Sequence, residues 1–438
     1  RLQKLIVYEV QIKDLTEKIN SCFGLFHLEV INCNLNNVET LKLSKNLVYL
    51  KLINVSLVGV KFPMFPQSLE VINIERNGIL QCELNCNCNC NCNSNSKLKT
   101  LRIAHNDLTD EFDISSQPVH DVNLEGNNNL TLVLLHDKTK ILNVSNTNIQ
   151  HIIGNGLTKL VLNGCNNNNN KIDWKSFKLS QFVTQLSLQN CQLETFEFES
   201  NQEGIELKHL KVLDLSKNKL HLINLVEYEN LEDVELSNNE LKKLSNDNFP
   251  LNIKSINAEK NQIQEVDLQE LYNLIWLQVS ENKLNGIEQI QIPNSLNTLI
   301  LNGNIFNEIN DANFKLSENL RHLELNKCKI SKFNLTLNEK LMSCSLNGNK
   351  LHTKNFHIKF IKSPLPSSSS PPPSSSLVEV STSGLKFLDL GSNFFKTFDF
   401  NMIKGIELSE INLANNMFDE IPESIPDNIL SAIMFKVD

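Results

Sequence analysis

The chain is short of most residues that commit a protein to chemistry. Only 6% of its 438 residues are aromatic, with 2 Trp and 4 Tyr among them, so Leu, Ile and Val must fill most of any core. Glycine, at 14 residues, is too scattered for a phosphate-cradling loop. Neither sign of charge dominates: 41 basic residues stand against 50 acidic ones, a formal net charge of −9. No basic surface is available to neutralise a phosphate backbone, which argues against a nucleic-acid partner. No run of about 18 consecutive apolar residues appears, so no membrane-spanning helix is expected. The 10 histidines are dispersed, and no His-Glu-x-x-His, Gly-x-Ser-x-Gly or Gly-Lys-Ser/Thr run occurs. The sequence therefore predicts no enzyme, no cofactor and no metal site.

The 11 cysteines do not form a disulfide framework. Cys22 and Cys33 stand near the start without a matching cluster, and none follows Cys344. Several others fall at core positions of the pattern described next, which suits reduced thiols in the cytoplasm or nucleus. Four Asn-x-Ser/Thr sequons, at Asn54, Asn129, Asn143 and Asn334, do not argue for secretion, because about eight are expected by chance in a chain this rich in Asn, Ser and Thr.

What the chain has in abundance is one phrase. Leu210-Lys211-Val212-Leu213-Asp214-Leu215-Ser216-Lys217-Asn218-Lys219-Leu220 recurs with variations about every 22 residues. In register, copies begin at Leu2, Leu25, Leu47, Leu69, Leu98, Val119, Thr139, Leu157, Val183, Leu210, Leu231, Ile253, Leu274, Leu296, Leu320, Leu341, Leu385 and Leu408, with a further one opening at Leu430. The period of two in Leu213-Asp214-Leu215 puts both leucines on one face of a short strand and the aspartate on the other. Three residues beyond the second leucine the chain must leave the strand, exposing backbone groups that a buried side chain has to satisfy. Asparagine can both donate and accept. It fills that place at Asn77, Asn106, Asn127, Asn218, Asn239, Asn261, Asn282, Asn304, Asn349, Asn393 and Asn416, predicting an asparagine ladder along stacked copies. Cys33, Cys165, Cys191 and Cys328 take the place elsewhere, and Val10, Val55 and Thr147 lack the amide, which predicts looser turns.

Two inserts break the spacing: a Cys/Asn-rich tract over 82–96 and a Ser/Pro-rich tract over 363–383. A third, Asn166 to Asn170, lengthens one loop. Thiolates two residues apart could share a soft metal ion, but the alternation also arises by dipeptide expansion, and Asn offers no useful ligand. The Ser/Pro tract reads as a spacer, with an SH3-type ligand or a phosphorylated segment as the alternative. None of these tracts has the apolar side chains needed to offset the entropy of ordering, so they are expected to be surface loops dispensable for folding.

The phrase L-x-x-L-x-L-x-x-N/C-x-L resembles the leucine-rich repeat superfamily over nearly the whole of 1–438, roughly 18 to 19 repeats. The lengths are similar to the short class of about 20 to 24 residues, with backs such as Pro63-Met64-Phe65-Pro66 and Ile292-Pro293-Asn294-Ser295, and the inserts resemble those of AT-rich eukaryotic microbes. The resemblance implies an α/β solenoid: a horseshoe with a concave parallel β-sheet and an irregular, 3₁₀ or short-helical convex side. It also implies protein recognition rather than catalysis. The chain opens at Arg1 inside a repeat, without an initiator methionine, and stops inside another, so a fragment of a longer protein is expected.

The outward strand residues are then the candidate site. Early copies offer Lys4, Tyr8, His27, Tyr49, Lys51 and Arg102; middle copies offer Asp214, Asp233, Glu235, Glu259 and Trp276; His322, Glu324, Phe387, Asp389 and Glu410 follow. A solvent-facing tryptophan beside carboxylates suits an interface with a basic partner. Charged residues on an exposed strand face also suppress aggregation, and that plainer role weighs equally. Trp174 falls on the convex side and is expected to pack there. The reading is an intracellular, monomeric scaffold that binds a protein partner through Asp214, Asp233, Glu235, Glu259, Trp276, His322, Glu324, Tyr49 and Lys51. The alternative is the substrate-reading arm of an F-box-type ubiquitin ligase, or the regulatory repeat region of a larger signalling enzyme.

Overall fold

A computed structural model of the chain describes residues 2–35, 38–57, 65–82, 97–165, 178–179, 182–196, 207–360, 384–403, 406–420 and 429–434. Almost all of both long inserts, together with Asn166 to Asn170 and Trp174, lies outside these residues. The fold is a solenoid of stacked parallel strands with little helix, divided into two compact units: Arg1–Leu193 with Glu197–Asn218, and Lys219–Asp438 with Glu194–Phe196.

In the first unit the main sheet runs Lys4–Tyr8, His27–Ile31, Tyr49–Ile53, Val71–Glu75, Thr100–Arg102, Asp121–Asn123, Ile141–Asn143, Lys159–Val161, Gln185–Ser187 and Val212–Asp214, each parallel to the next. In the second it runs Asp233–Glu235, Ser255–Asn257, Trp276–Gln278, Thr298–Ile300, His322–Glu324, Ser343–Ser345, Phe387–Asp389, Leu408–Asn412 and Ile429–Met434. The period of two sets the faces as expected. Leu213, Leu215, Leu236, Leu277 and Leu301 are fully buried, while Asp214, Glu235, Gln278 and Ile300 stay partly exposed on the other side.

The ladder asparagine side chains bond to the backbone of their own and the preceding repeat rather than to one another's side chains. Asn218 accepts the Cys191 and Leu193 N–H groups at 2.8 and 3.1 Å and donates to the carbonyls of Leu188 and Leu215 at 2.9 and 2.8 Å. Asn349 does the same for Cys328, Ile330, Leu325 and Leu346. Cysteine keeps the donor half: Cys328 donates to the Leu301 carbonyl at 3.3 Å, and the Phe306 N–H turns to the Cys328 backbone oxygen instead. At Val55 the corresponding backbone bond, from the Leu35 N–H, is 3.4 Å long, and at Thr147 the hydroxyl donates to the Val144 carbonyl.

Burial pushes the thiols of Cys191, Cys328 and Cys344 up to about 12, which keeps them protonated, as donation requires for Cys191 and Cys328. Because the folded value exceeds the ordinary one near 9, the stability these groups contribute is fully present below pH 9 and is lost as pH climbs toward 12. A shift of about three units cuts the thiolate fraction about a thousandfold. Mass-spectrometric mapping of iodoacetamide labelling at pH 8 should therefore find Cys328 and Cys344 untouched in the native chain and labelled in urea; rapid native labelling of either would contradict this burial.

Immediately before each ladder residue the chain passes through the left-handed region. Lys217, Asn238, Lys260, Glu281 and Lys327 have φ between 52 and 57°, and Gly126, Gly164, Gly303 and Gly348 serve where the sequence supplies glycine. Non-glycine residues rarely hold this conformation; here the adjoining bonds enforce it, as in Asn238 N–H to Glu259 O at 2.8 Å.

The back of the solenoid is built of extended and 3₁₀ segments, as the short repeat class implies. Among the described residues there is one helix, Leu15–Asn20, with short 3₁₀ turns such as Asn246–Asn248 and Phe400–Ile403, and extended segments pair into further parallel sheets. These are Thr109–Asp113, Asn129–Leu134, His151–Gly154 and Lys178–Leu179 in the first unit. The second unit has Lys243–Ser245, Glu265–Asp267 and Ile290–Gln291, and then Glu308–Asn310, Lys332–Leu337 and Phe356–Phe360. Inward residues such as Leu244, Val266 and Ile290 close the core from behind.

Candidate functional site on the outer sheet faces

The nominated residues divide between the units. In the second, the strand register lines up Asp233, Ser255, Trp276, Thr298 and His322 in one row. A second row holds Glu235, Asn257, Gln278, Ile300 and Glu324. Short hydroxyl side chains flank Trp276 on both sides, so no large side chain stands beside the indole in its own row. Next to this row, where the chain climbs into the strand, Tyr272 and Leu251 are 73% and 66% exposed and Ile275 is 48% exposed. Asn273 donates to the Leu251 carbonyl at 2.9 Å, which fixes the two loops side by side.

The carboxylates are not equivalent. Glu235 accepts from the Ser237 N–H at 2.9 Å and from Asn257 Nδ2 at 2.7 Å. Glu259 takes Gln278 Nε2 at 2.8 Å and Lys260 Nζ at 3.0 Å, and Glu324 takes Asn302 Nδ2 at 2.8 Å. These groups brace the sheet edge as well as charging it. Asp233 makes no side-chain hydrogen bond or ion pair among the described residues, which leaves its charge open to a partner.

Asp214 belongs to the first unit. Its Oδ1 accepts the Ser216 N–H and hydroxyl at 2.9 and 2.7 Å, and Ser187 reaches Oδ2 at 3.3 Å. The same bond from a strand side chain to the N–H two residues on recurs at Asn123, Asn143, Asn257, Asp389 and Asn412. Sequence reasoning missed this turn-closing role; its signal was the frequency of Asp and Asn between the paired hydrophobics. Asp214→Ala should accordingly cost about 1 kcal/mol in urea unfolding, against about 2–5 for Leu213→Ala. Equal costs would mean that the strand phase is off by one.

At the early strands, the basic and aromatic set comes with acids that the sequence reading did not single out. His27 Nε2 bonds Glu29, and the His27 and Tyr49 rings stack with centroids 4.4 Å apart at 3°. Lys51 lies 3.8 Å from Glu29, and Arg102 lies 3.8 Å from Asp121. Partial burial, helped by the Glu29 charge, raises the Tyr49 phenol above its ordinary value. Among the described residues, no group of three or more His, Cys, Asp or Glu is arranged to hold a metal ion, and no helix is long and apolar enough to cross a membrane.

Comparison with solved structures places this architecture in a class. The chain is similar to YopM from Yersinia enterocolitica WA-314, with TM-score 0.54 and 19% identity over 94% of this chain and 83% of that one. It is similar to Toll, solved in the Drosophila Toll–Spatzle complex, with TM-score 0.51 and 16% identity over 99% of this chain and 82% of that one. TLR13, solved in a TLR13–ssRNA13 complex, matches with TM-score 0.51 and 16% identity over 93% of this chain, which spans 65% of the TLR13 chain. All are leucine-rich repeat proteins, and the chain has the leucine-rich repeat fold. No protein-family profile matches the sequence. No curated protein matches it.

Proposed function

We propose that the chain is a protein-recognition module whose partner docks on the outer sheet face of the second unit. The observation that carries this reading is the row in which Trp276 stands between Ser255 and Thr298, with Asp233, Glu235 and Glu259 to one side and His322 and Glu324 to the other. Exposed Tyr272, Leu251 and Ile275 extend the apolar anchor beyond the strand. A large aromatic at the centre, ringed by polar groups, is the usual composition of an interface hot spot. The partner is a basic protein surface, because the unpaired Asp233 carboxylate and its neighbours attract cations and repel acidic competitors. An intracellular, reducing setting is part of the proposal, supported by the seven cysteines that stand as free thiols among the described residues.

The test is a pull-down with the full chain, its Asp233→Lys variant and its Trp276→Ala variant, with circular dichroism to verify folding. Glu235 is a poorer choice because it also braces Ser237 and Asn257. Each substitution should weaken capture of the same partner about tenfold or more, and added salt should weaken it further. Unchanged capture by both variants would mean that these residues only keep the face soluble.

A further inference from the structure

Six asparagines are followed by glycine: Asn77, Asn155, Asn163, Asn285, Asn302 and Asn347. Glycine has no side chain to shield its nitrogen, so each pair sets an accessible backbone nucleophile beside a side-chain amide. Four of the six are tied down. Asn77 is 2% exposed, accepts the Val55 N–H at 2.8 Å and donates to the carbonyls of Leu52 and Glu75. At Asn163, Asn302 and Asn347 both reacting groups are held: the amides bond Gln189, Glu324 and Asp389, and the Gly164, Gly303 and Gly348 N–H groups donate to carbonyls of the next repeat at 2.8, 2.8 and 3.0 Å. Asn155 is exposed, but Gly156 is wedged against backbone, where a Cβ would lie 1.9 Å from the Asp137 oxygen and 2.8 Å from that of Thr139. Asn285 is exposed and open. Neither its side chain nor the Gly286 N–H has a hydrogen-bond partner among the described residues. Gly286 holds φ at 142°, and a Cβ there would first meet the Glu288 carboxylate, the end of a flexible side chain that can swing aside.

We propose that Asn285–Gly286 is a modification site at which the folded chain deamidates itself, with water as the co-reactant. The Gly286 nitrogen bonds to Asn285 Cγ and the Cγ–Nδ2 bond breaks. The departing nitrogen takes the Gly286 proton and leaves as ammonia. Water then opens the cyclic imide. Attack at Cγ gives aspartate, whereas attack at the Asn285 carbonyl carbon leaves Gly286 joined through Cγ, an isoaspartyl link. Either product sets a new carboxylate close to Glu288, and the isoaspartyl form lengthens the backbone where Asn285 bridges to Ile305. Its freed α-carboxylate is the group that protein isoaspartate methyltransferases esterify from S-adenosylmethionine, so that enzyme class is the partner the modified chain fits. The site does not rest on the interface proposed above.

The full chain is aged in neutral buffer, native and in urea, then cleaved after glutamate, which puts Asn285 on the peptide 282–288 and Asn302 on 289–308. Mass spectrometry follows the conversion of Asn to Asp in each peptide, and an isoaspartate methyltransferase with labelled S-adenosylmethionine counts the isoaspartyl product. In urea all six pairs should convert at similar rates. In the native chain Asn285 should convert at least about tenfold faster than Asn77, Asn163, Asn302 and Asn347, each of which must first break two or more hydrogen bonds. Asn155 should fall between. The Asn285→Gln chain, aged in the same way, should lose most of the methyl label. Native conversion of Asn285 no faster than that of the four tied pairs would overturn the proposal, as would an undiminished methyl label in Asn285→Gln.

Discussion

Asn349→Ala is expected to cost about 2–5 kcal/mol, measured by urea unfolding and by hydrogen exchange at Cys328 and Ile330. The side chain is 4% exposed and makes four bonds to the backbone that pins one repeat to the last. Alanine leaves the Cys328 and Ile330 N–H groups and the Leu325 carbonyl buried without partners, while the Leu346 carbonyl keeps Asn393 Nδ2 at 3.0 Å; each orphan costs about 1–3 kcal/mol before relaxation. Asn349→Cys should cost roughly half as much, because Cys328 and Cys191 show that a thiol can still donate to the preceding repeat. Each unit of a solenoid packs only on its neighbours, so the loss should be concentrated in adjacent repeats. A cost below about 0.5 kcal/mol for alanine would mean that the ladder is ornamental.

Phe333→Ala should be comparably severe, about 3–5 kcal/mol. Phe333 is fully buried behind the second unit, 5.8 Å from the ring of Phe356, which in turn meets Phe395 edge-on at 5.7 Å. Phe398 and Phe400 continue the cluster. Removing one ring opens a cavity that the paired back strands cannot collapse to fill, because their register holds them apart. Phe333→Leu should recover most of the loss. Thermal unfolding of the two variants checks the order, and equal, small shifts would contradict the packed stack.

The repeat made the main sheet legible because a period of two within each strand and a fixed interval between strands leave one phase that buries Leu213 and Leu215. The ladder was legible because a residue that must both donate and accept at a turn is asparagine. What stayed hidden was bonding that depends on strand length. The turn-closing bond of Asp214 and the idle amide of Asn73, whose buried Oδ1 has no hydrogen-bond partner, occupy the same place in the repeat, and they differ because one strand stops and the other runs on. The paired back sheets were hidden for a related reason: short segments with a single inward apolar residue, such as Lys243–Ser245, acquire partners only once the stack has set their register. For the candidate site the sequence nominated Trp276 and the carboxylates, but it could not separate Asp233, which is unpaired among the described residues, from Glu235, which is tied.

The central functional claim is that Trp276 is covered when a partner binds. The chain's other tryptophan, Trp174, can be replaced by phenylalanine so that emission reports Trp276 alone. Titrating the captured partner into Trp174→Phe at low and high salt tests the claim directly. The expected result is a blue shift in emission that saturates with binding, with the affinity falling as salt rises. Saturable binding with unchanged Trp276 emission and no salt dependence would contradict it.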